Sequence, residues 1–260
     1  MKLSVVIPAR DEADSVVETL TGLDAALAAE GIPFELVVVD DGSTDETADV
    51  VRRFAAARSS VRLVANTGRH GFGMAVRKGL EHADGQAVTI VMADASDSPA
   101  DVVECYRKLQ QGYDCVFGSR FMKGSRVVDY PVHKLVVNRL ANWFINVLFH
   151  LRFNDCTNAF KMYRRRVIEA MQPLISPHFN LTVEMPLKAV VRGFNFAVIP
   201  ITWTNRKSGV SKLKLKEMGS RYLFIVLYLW LEKTLVRRDY QRQSLPGEAG
   251  EPVNPEARHV

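Results

Sequence analysis

Four short apolar runs in the first part of the chain, each followed by a helical pattern, limit what this sequence can fold into more than any other feature. The runs are 3–7, 34–39, 61–65 and 88–92, and they are rich in Val, Ile and Leu. Short, near-continuous β-branched runs mark strands buried on both faces. Between them, apolar residues recur at helical spacing. Val16, Leu20, Leu23 and Leu27 occupy the first connection, Val51, Phe54 and Ala55 the second, and a helix starts near Met74 in the third. This alternation predicts an α/β fold with a mostly parallel, doubly wound, Rossmann-like sheet flanked by helices. Ligands of such sheets bind outside the carboxyl ends of the strands.

The residues that follow each run are therefore the candidates for a site. Pro8, Ala9 and a polar turn containing Glu12 follow the first run. Asp40, Asp41, Gly42 and Ser43 follow the second. A helix-capping turn from Ser43 or Thr44 explains the small residues but not two adjacent, mutually repelling acids. Asp40 and Asp41 suit hydrogen bonds to a ribose or a base edge. The loop from Gly68 through Gly71 to Gly73 lacks the lysine and hydroxyl of a P-loop and the Rossmann spacing, so alone it reads as an ordinary turn. The fourth run ends in Asp94 and Asp97, two residues before Pro99. Two carboxylates at a strand end suit a hard cation, Mg²⁺ or Mn²⁺, carrying phosphates. The alternative is that Asp97 starts a turn and caps the next helix.

The second half is less regular. A helix to about Gln111 and a strand over 113–118 lead to Ser119, Arg120 and Phe121. Beyond Pro131, a helical stripe of Val136, Leu140, Trp143, Val147 and Leu151 is widened by Leu135, Val137, Phe144, Leu148 and Phe149. Such a helix is either deeply packed or meets another apolar phase. Arg164, Arg165 and Arg166 read as a solvated face, with a phosphate- or membrane-facing cluster as the sharper alternative. A helix over 179–193 precedes a strand over 194–203, which Pro200 places at a sheet edge. Cations mixed with Gly209, Ser208 and Ser211 then suggest a loop that wraps an anion. Without interleaved stacking aromatics it does not suggest nucleic acid.

The apolar run 222–231, with Lys233, Arg237 and Arg238 after it, fits either a core helix or one lying in a membrane surface. No run reaches the roughly 18–20 apolar residues of a span. The chain has 260 residues, 47% of them hydrophobic, with a net charge of +5. Its three cysteines, Cys105, Cys115 and Cys156, lack metal-ligand spacing and read as reduced, cytosolic thiols. No charged and apolar leader precedes the first strand. The stretch 243–260 is polar and pattern-free, which predicts a disordered tail.

Taken in order, these segments resemble family 2 glycosyltransferases, in the group of dolichyl-phosphate mannose synthase and the bacterial polyprenyl-phosphate sugar transferases. The matching pieces are Val6 to Ala9 with Glu12, Val39 to Ser43, Gly71 with Ala75, Asp94, and Gly118 to Phe121. They continue with Asn138 to Asn142, Asp155 to Lys161, Glu184 with Met185, Ile199 to Ile201, and Arg206, Gly209, Ser211, Lys212 and Leu213. The resemblance implies a GT-A domain over 1–215, then a basic, apolar helix over 216–242. It implies inverting transfer of a monosaccharide from a GDP- or UDP-hexose to a polyprenyl phosphate, on the cytoplasmic face of a membrane. Pro8, Ala9, Glu12, Asp40, Asp41 and Gly71 would hold the nucleotide-sugar. Arg120, Lys134, Asn138, Arg206 and Lys212 would hold the acceptor phosphate, and Asp94, Asp97, Arg120 and Arg206 would serve catalysis. The membrane surface, or a membrane-protein partner, would receive the last helix.

The family usually shows Asp-x-Asp at the acidic strand end. Here an ungapped match puts Ala93 and Ala95 at those positions, with Asp94 between them. Either Asp94 and Asp97 hold the metal in a re-formed loop, or metal binding is weakened or lost, which favours a non-catalytic nucleotide-sugar-binding protein. A third reading is transfer to a hydroxyl, with Glu184 or Asp155 as the base. A lipid phosphate is already anionic and needs no such base. His70 and His133 read as structural histidines.

Overall fold

The computed structural model describes residues 1–151, 153–205, 215–236 and 239. The regular first half comprises β1 (Leu3–Ala9), α1 (Val16–Ala29), β2 (Phe34–Asp40), α2 (Thr47–Ala55), β3 (Val61–Ala65), α3 (Phe72–His82), β4 (Ala87–Ile90), α4 (Pro99–Gln110) and β5 (Cys115–Ser119). The remainder comprises β6 (Arg126–Val128), α5 (Val132–Phe149), β7 (Lys161–Arg164), α6 (Arg165–Ala170), α7 (Leu181–Val191), β8 (Phe196–Pro200), β9 (Thr202–Thr204) and α8 (Leu215–Leu235).

The main sheet has seven strands in the order β3-β2-β1-β4-β7-β5-β8, and β6 pairs with β9 in a second, two-stranded sheet. All pairings in the main sheet are parallel except those of β7, which runs antiparallel to both β4 and β5. Side chains alternate between two cores. Leu3, Val5 and Ile7 pack with α1 and α4 on one face. Val6, Val88 and Phe117 pack with α3, α7 and α8 on the other. Register places Ala9 beside Asp40, and Asp40 beside Ala65, so three strand ends are level. β4 stops earlier, with Ile90 opposite Val6. The chain after β4 therefore turns across the end of β1.

Several expected boundaries shift. The strand expected over 113–118 begins at Cys115; the Asp114 N–H donates to the Asn195 side chain and not to a neighbouring strand. α2 begins at Thr47, later than a Ser43 or Thr44 cap implies, and Asp45 Oδ1 accepts the Thr47 N–H at 2.9 Å. Pro200 ends β8, which is indeed the sheet edge, and β9 leaves for the smaller sheet. In the arginine triplet Arg164 and Arg165 are half-buried and Arg166 is exposed. Arg164 donates to the carbonyls of Tyr113 and Leu109, Arg165 to those of Gly85 and Ala83, and Arg166 pairs with Asp114. All three cysteines are buried free thiols.

The two apolar helices of the second half are only partly packed. α5 buries Asn142, Ile145 and Phe149. Its predicted stripe faces outward instead, with Leu140 60% and Trp143 64% exposed. α8 buries Ile225, Val226 and Leu229 but exposes Leu223, Phe224, Leu227 and Leu231. Among the described residues, no helix is long and apolar enough to cross a membrane. The expected tail over 243–260 lies outside the described residues.

Phe117 is the centre of the second core, with ring centroids 5.1 Å from Phe153, 5.0 Å from Phe196 and 5.9 Å from Tyr163. Phe117→Ala is expected to lower the unfolding free energy by roughly 3–5 kcal/mol, from lost burial plus a cavity. Urea denaturation followed by far-UV circular dichroism measures it, and a loss below about 1 kcal/mol would contradict this packing.

Candidate active site

The turn after β4 is clipped from two sides. From α1 and its approach, the Ser15 and Thr19 hydroxyls donate to the Ala93 carbonyl at 3.0 and 3.1 Å. The Ala95 N–H donates back to Thr19 Oγ1 at 3.0 Å. From β9, the Thr204 N–H donates to the Ser96 carbonyl at 3.1 Å. Ala93 is 2% exposed, and its methyl belongs to the α1/α4 core. A carboxylate there would be buried without water. Ala95 sits in the left-handed region at φ 56°. The acids the turn carries are Asp94, whose Oδ1 accepts the Ser96 N–H, and Asp97, whose Oδ2 accepts the Met92 N–H at 3.0 Å. Burial pushes the Asp97 carboxyl up to about 7, with the Asp94 charge adding to the rise and the Met92 N–H and Arg120 opposing it. Two carboxylates carried by a single turn are a donor set suited to a divalent cation.

Arg120, just past β5, faces this turn with little freedom. Its Nε and Nη2 donate to the two Asp155 oxygens at 2.8 Å each, and its backbone N–H donates to the same carboxylate at 2.9 Å. Asp155 is fully buried. The Phe121 and Tyr130 rings flank the guanidinium at 5.3 and 5.5 Å. Behind Asp155 lies Lys161, the first residue of β7, whose Nζ donates to the carbonyls of Cys156, Asn158 and Thr182. Burial pushes this ammonium down to about 8. Asn138 joins the same region through its neighbours. It donates to the Tyr130 hydroxyl at 2.9 Å and accepts from Asn142 and Thr157 at 2.6 and 2.8 Å. Lys134 lies one turn earlier on α5 and is half-buried. Arg206 and Lys212 lie outside the described residues.

At the other strand ends, Pro8 and Ala9 are buried and Asp40 Oδ1 accepts the Ser43 N–H. Glu12 Oε2 accepts the Ser15 hydroxyl. Asp41 is buried and holds the glycine loop: Asn66 Nδ2 and the Gly71 N–H donate to its two oxygens at 2.6 and 2.8 Å, and His70 Nδ1 lies 3.3 Å away. Gly42, at φ 72°, packs against the His70 ring, so a side chain there would be both strained and obstructed. The loop is braced from below. The Gly73 N–H donates to the Pro177 carbonyl, and Phe72 stacks on Phe179 at 4.3 Å. The strand-end acids and the segment ending at Lys161 were visible in the sequence, whereas Asn66 and the 175–179 brace carry no local pattern that marks them.

Glu184 is also committed. Its oxygens accept the Ile175 and Ser176 N–H groups at 2.8 and 2.7 Å, and it pairs with Lys188 at 2.7 Å. Both Glu184 and Asp155 are fully buried.

Because the folded pKa of Asp97 lies above its ordinary value, its protonated form favours the fold at low pH. That contribution is lost as pH rises from about 4 toward about 7. Asp97→Asn is therefore expected to raise Tm at pH 8 relative to wild type, and to do so less at pH 5. Thermal melts at the two pH values in metal-free buffer measure this. An equal shift at both would contradict the raised carboxyl.

With this geometry in view, residues 4–171 match the family described as Glycosyl transferase family 2. Polyprenol monophosphomannose synthase of Mycolicibacterium smegmatis is 30% identical over 184 residues, 68% of this chain and 69% of that protein. Dolichol-phosphate mannosyltransferase of Pyrococcus furiosus is 28% identical over 217 residues, 82% of this chain and 60% of that one, which is thus considerably longer. Among solved structures, glucosyl-3-phosphoglycerate synthase from Mycobacterium tuberculosis with Mn²⁺, uridine diphosphate and phosphoglyceric acid has a TM-score of 0.65 at 20% identity. The alignment covers 95% of this chain and 84% of that one. The shared architecture is the GT-A fold, and the chain belongs to glycosyl transferase family 2 as a glycosyltransferase.

Proposed function

We propose that this enzyme transfers one sugar, with inversion, from a nucleotide-sugar to the phosphate of a polyprenyl phosphate at a membrane surface. The observation that carries the acceptor is the commitment of Asp155 and Glu184. Each is fully buried with both oxygens engaged, Asp155 by Arg120 and Glu184 by two N–H groups and Lys188. Neither is placed to deprotonate a hydroxyl, whereas a phosphate acceptor arrives anionic. The names of the mycobacterial and archaeal relatives, which carry polyprenol and dolichol phosphate, support the same reading.

In this reading Asp94 and Asp97 would hold Mg²⁺ or Mn²⁺, and when bound the ion supplies positive charge at the leaving diphosphate. Pro8, Ala9, Glu12, Asp40 and Asp41 with Gly71 line the nucleotide end. Arg120, oriented by Asp155 before any ligand arrives, offers fixed positive charge to the phosphates. Lys134, Asn138, Arg206 and Lys212 belong to the acceptor side.

The membrane enters through α5 and α8. Among the described residues, every exposed large apolar side chain lies on these helices or at Val236, apart from Val17 and Ile175. α5 carries His133, Lys134 and Arg139 and no acid. α8 carries the half-buried Arg221 and Lys233, and Glu232 is buried against Arg192. An apolar face edged by cations fits the interface of an anionic bilayer, with the enzyme peripheral on its cytoplasmic side. Transfer to a hydroxyl is the second reading, favoured by one observation: a carboxyl near 7, as at Asp97, is matched to general-base work.

The test is transfer from a panel of GDP- and UDP-hexoses to farnesyl phosphate and to farnesol, with Mg²⁺, Mn²⁺ or EDTA. The account predicts a metal-dependent, acid-labile farnesyl-phosphate sugar and no farnesol product. Product from farnesol alone would overturn it. Asp94→Asn is expected to lower kcat by roughly 10²–10³-fold, the scale of losing one electrostatic contact to the transition state. Near-normal turnover in that variant would remove Asp94 from the site.

A further inference from the structure

The buried side of α5 carries a polar residue among the apolar ones that pack it. Leu140 and Trp143 face outward, while Ile145 and Phe149 belong to the core. On that buried side Asn142 is only 2% exposed. A buried amide is costly unless its donors and its acceptor are engaged. Asn142 Oδ1 accepts the Cys156 N–H at 2.6 Å and the Thr157 N–H at 3.4 Å. Its Nδ2 donates to Asn138 Oδ1 at 2.6 Å and to the Asn138 carbonyl at 3.0 Å. Asn138 lies one turn earlier on the same side of α5. The Asn142 amide therefore ties the helix to the backbone that follows Asp155.

Both arms of this network lead to Arg120. In one direction, Cys156 follows Asp155, whose two oxygens accept Arg120 Nε and Nη2. In the other, Asn138 Nδ2 donates to the Tyr130 hydroxyl at 2.9 Å, and the Tyr130 ring lies 5.5 Å from the Arg120 guanidinium. The Thr157 hydroxyl donates to Asn138 Oδ1 at 2.8 Å and so joins the two arms. One buried side chain thus fixes the segment that grips Arg120 and, through Asn138, the ring beside it. A satisfied buried network of this kind rigidifies what it connects. An apolar residue of similar size at 142 would suit the packing of α5 but would leave the Cys156 N–H without this acceptor.

We propose that Asn142 is a positioning residue for sugar transfer, acting on Arg120 through Asp155 and Tyr130 without meeting a ligand itself. The proposal deepens the reading of the site above and rests on it for the step that Arg120 serves. The locking of the Arg120 guanidinium is a property of the protein alone and is measured without substrate. A fixed charge displaced by a fraction of an ångström loses much of its value to a transition state.

The test uses Asn142→Leu, which fills the space, and Asn142→Ala, which leaves room for water, each in the full chain. Proton exchange at arginine Nε–H groups is followed by NMR, with the Arg120 signal assigned by its loss in Arg120→Ala. Arg164 is the internal control, because its Nε donates to the Tyr113 carbonyl at 2.9 Å from the far end of β7. The proposal predicts exchange at Arg120 faster by about tenfold, the scale of hydrogen bonds lost from the network, with Arg164 unchanged. It predicts kcat/KM for farnesyl phosphate lower by roughly 10–100-fold, and no further loss when Asn142→Ala is added to Arg120→Ala. Unchanged exchange at Arg120, equal loosening of Arg164, wild-type kcat/KM, or additive losses would each overturn it. Thermal melts identify a variant that fails to fold, in which case the other decides. If wild type transfers sugar to farnesol and not to farnesyl phosphate, the acceptor reading fails, and the exchange measurement alone decides the role of Asn142.

Discussion

The buried pair of Arg120 and Asp155 is the interaction on which the rest of the site depends. Asp155 is fully buried, and its carboxylate accepts the Arg120 backbone N–H, Nε and Nη2. A pair of this kind contributes little net stability compared with an apolar replacement, yet removing one partner costs roughly 3–5 kcal/mol. Its value lies in position. It holds a guanidinium beside the acidic turn with the rotamer already chosen. The loop carrying Asp155 is in turn gathered by Lys161, through carbonyls on that loop and on α7. Lys161 can reach them because β7 runs backwards between β4 and β5, bringing the loop to the ends of the strands that deliver the acids and the arginine.

The same economy governs the other carboxylates. Asp41 is spent on Asn66 and Gly71, which fixes the glycine loop to β2. Glu184 is spent on the 175–176 backbone, which braces that loop from beneath. What remains at the strand ends to act on a ligand is the acidic turn and Arg120. Positioned charge without a dedicated proton acceptor suits a reaction between two phosphate-bearing substrates. The exposed apolar surface of α5 and α8 suits the apolar end of one of them.

Much of this was legible in the sequence, and the limits have physical reasons. The first four strands and their helices were visible because parallel strands buried on both faces must be continuously apolar, as in 3–7 and 34–39. The acidic ends followed from the rule that sites form at the carboxyl ends of strands. β7 was not visible: only Met162 and Tyr163 of its four residues are apolar, and its pairing is supplied entirely by β4 and β5. Arg164 to Arg166 read as solvated because a sequence does not show that carbonyls of distant loops converge on them. The wide apolar stripe of α5 left two possibilities open. In the fold Asn142, Ile145 and Phe149 are buried, Leu148 packs partly against the core, and the rest of the stripe is largely exposed. The Ala93 departure finds its reason in the turn itself, where the methyl is part of the core.

The most direct measurement is a double-mutant cycle on kcat/KM for the phosphate acceptor, using Asp155→Asn, Arg120→Ala and the pair. If Asp155 acts only by orienting Arg120, the second substitution adds nothing once the first is made, and the double variant matches Arg120→Ala. Independent, additive losses would show that Asp155 has a chemical role of its own, and would contradict a site built on fixed positive charge without a carboxylate base.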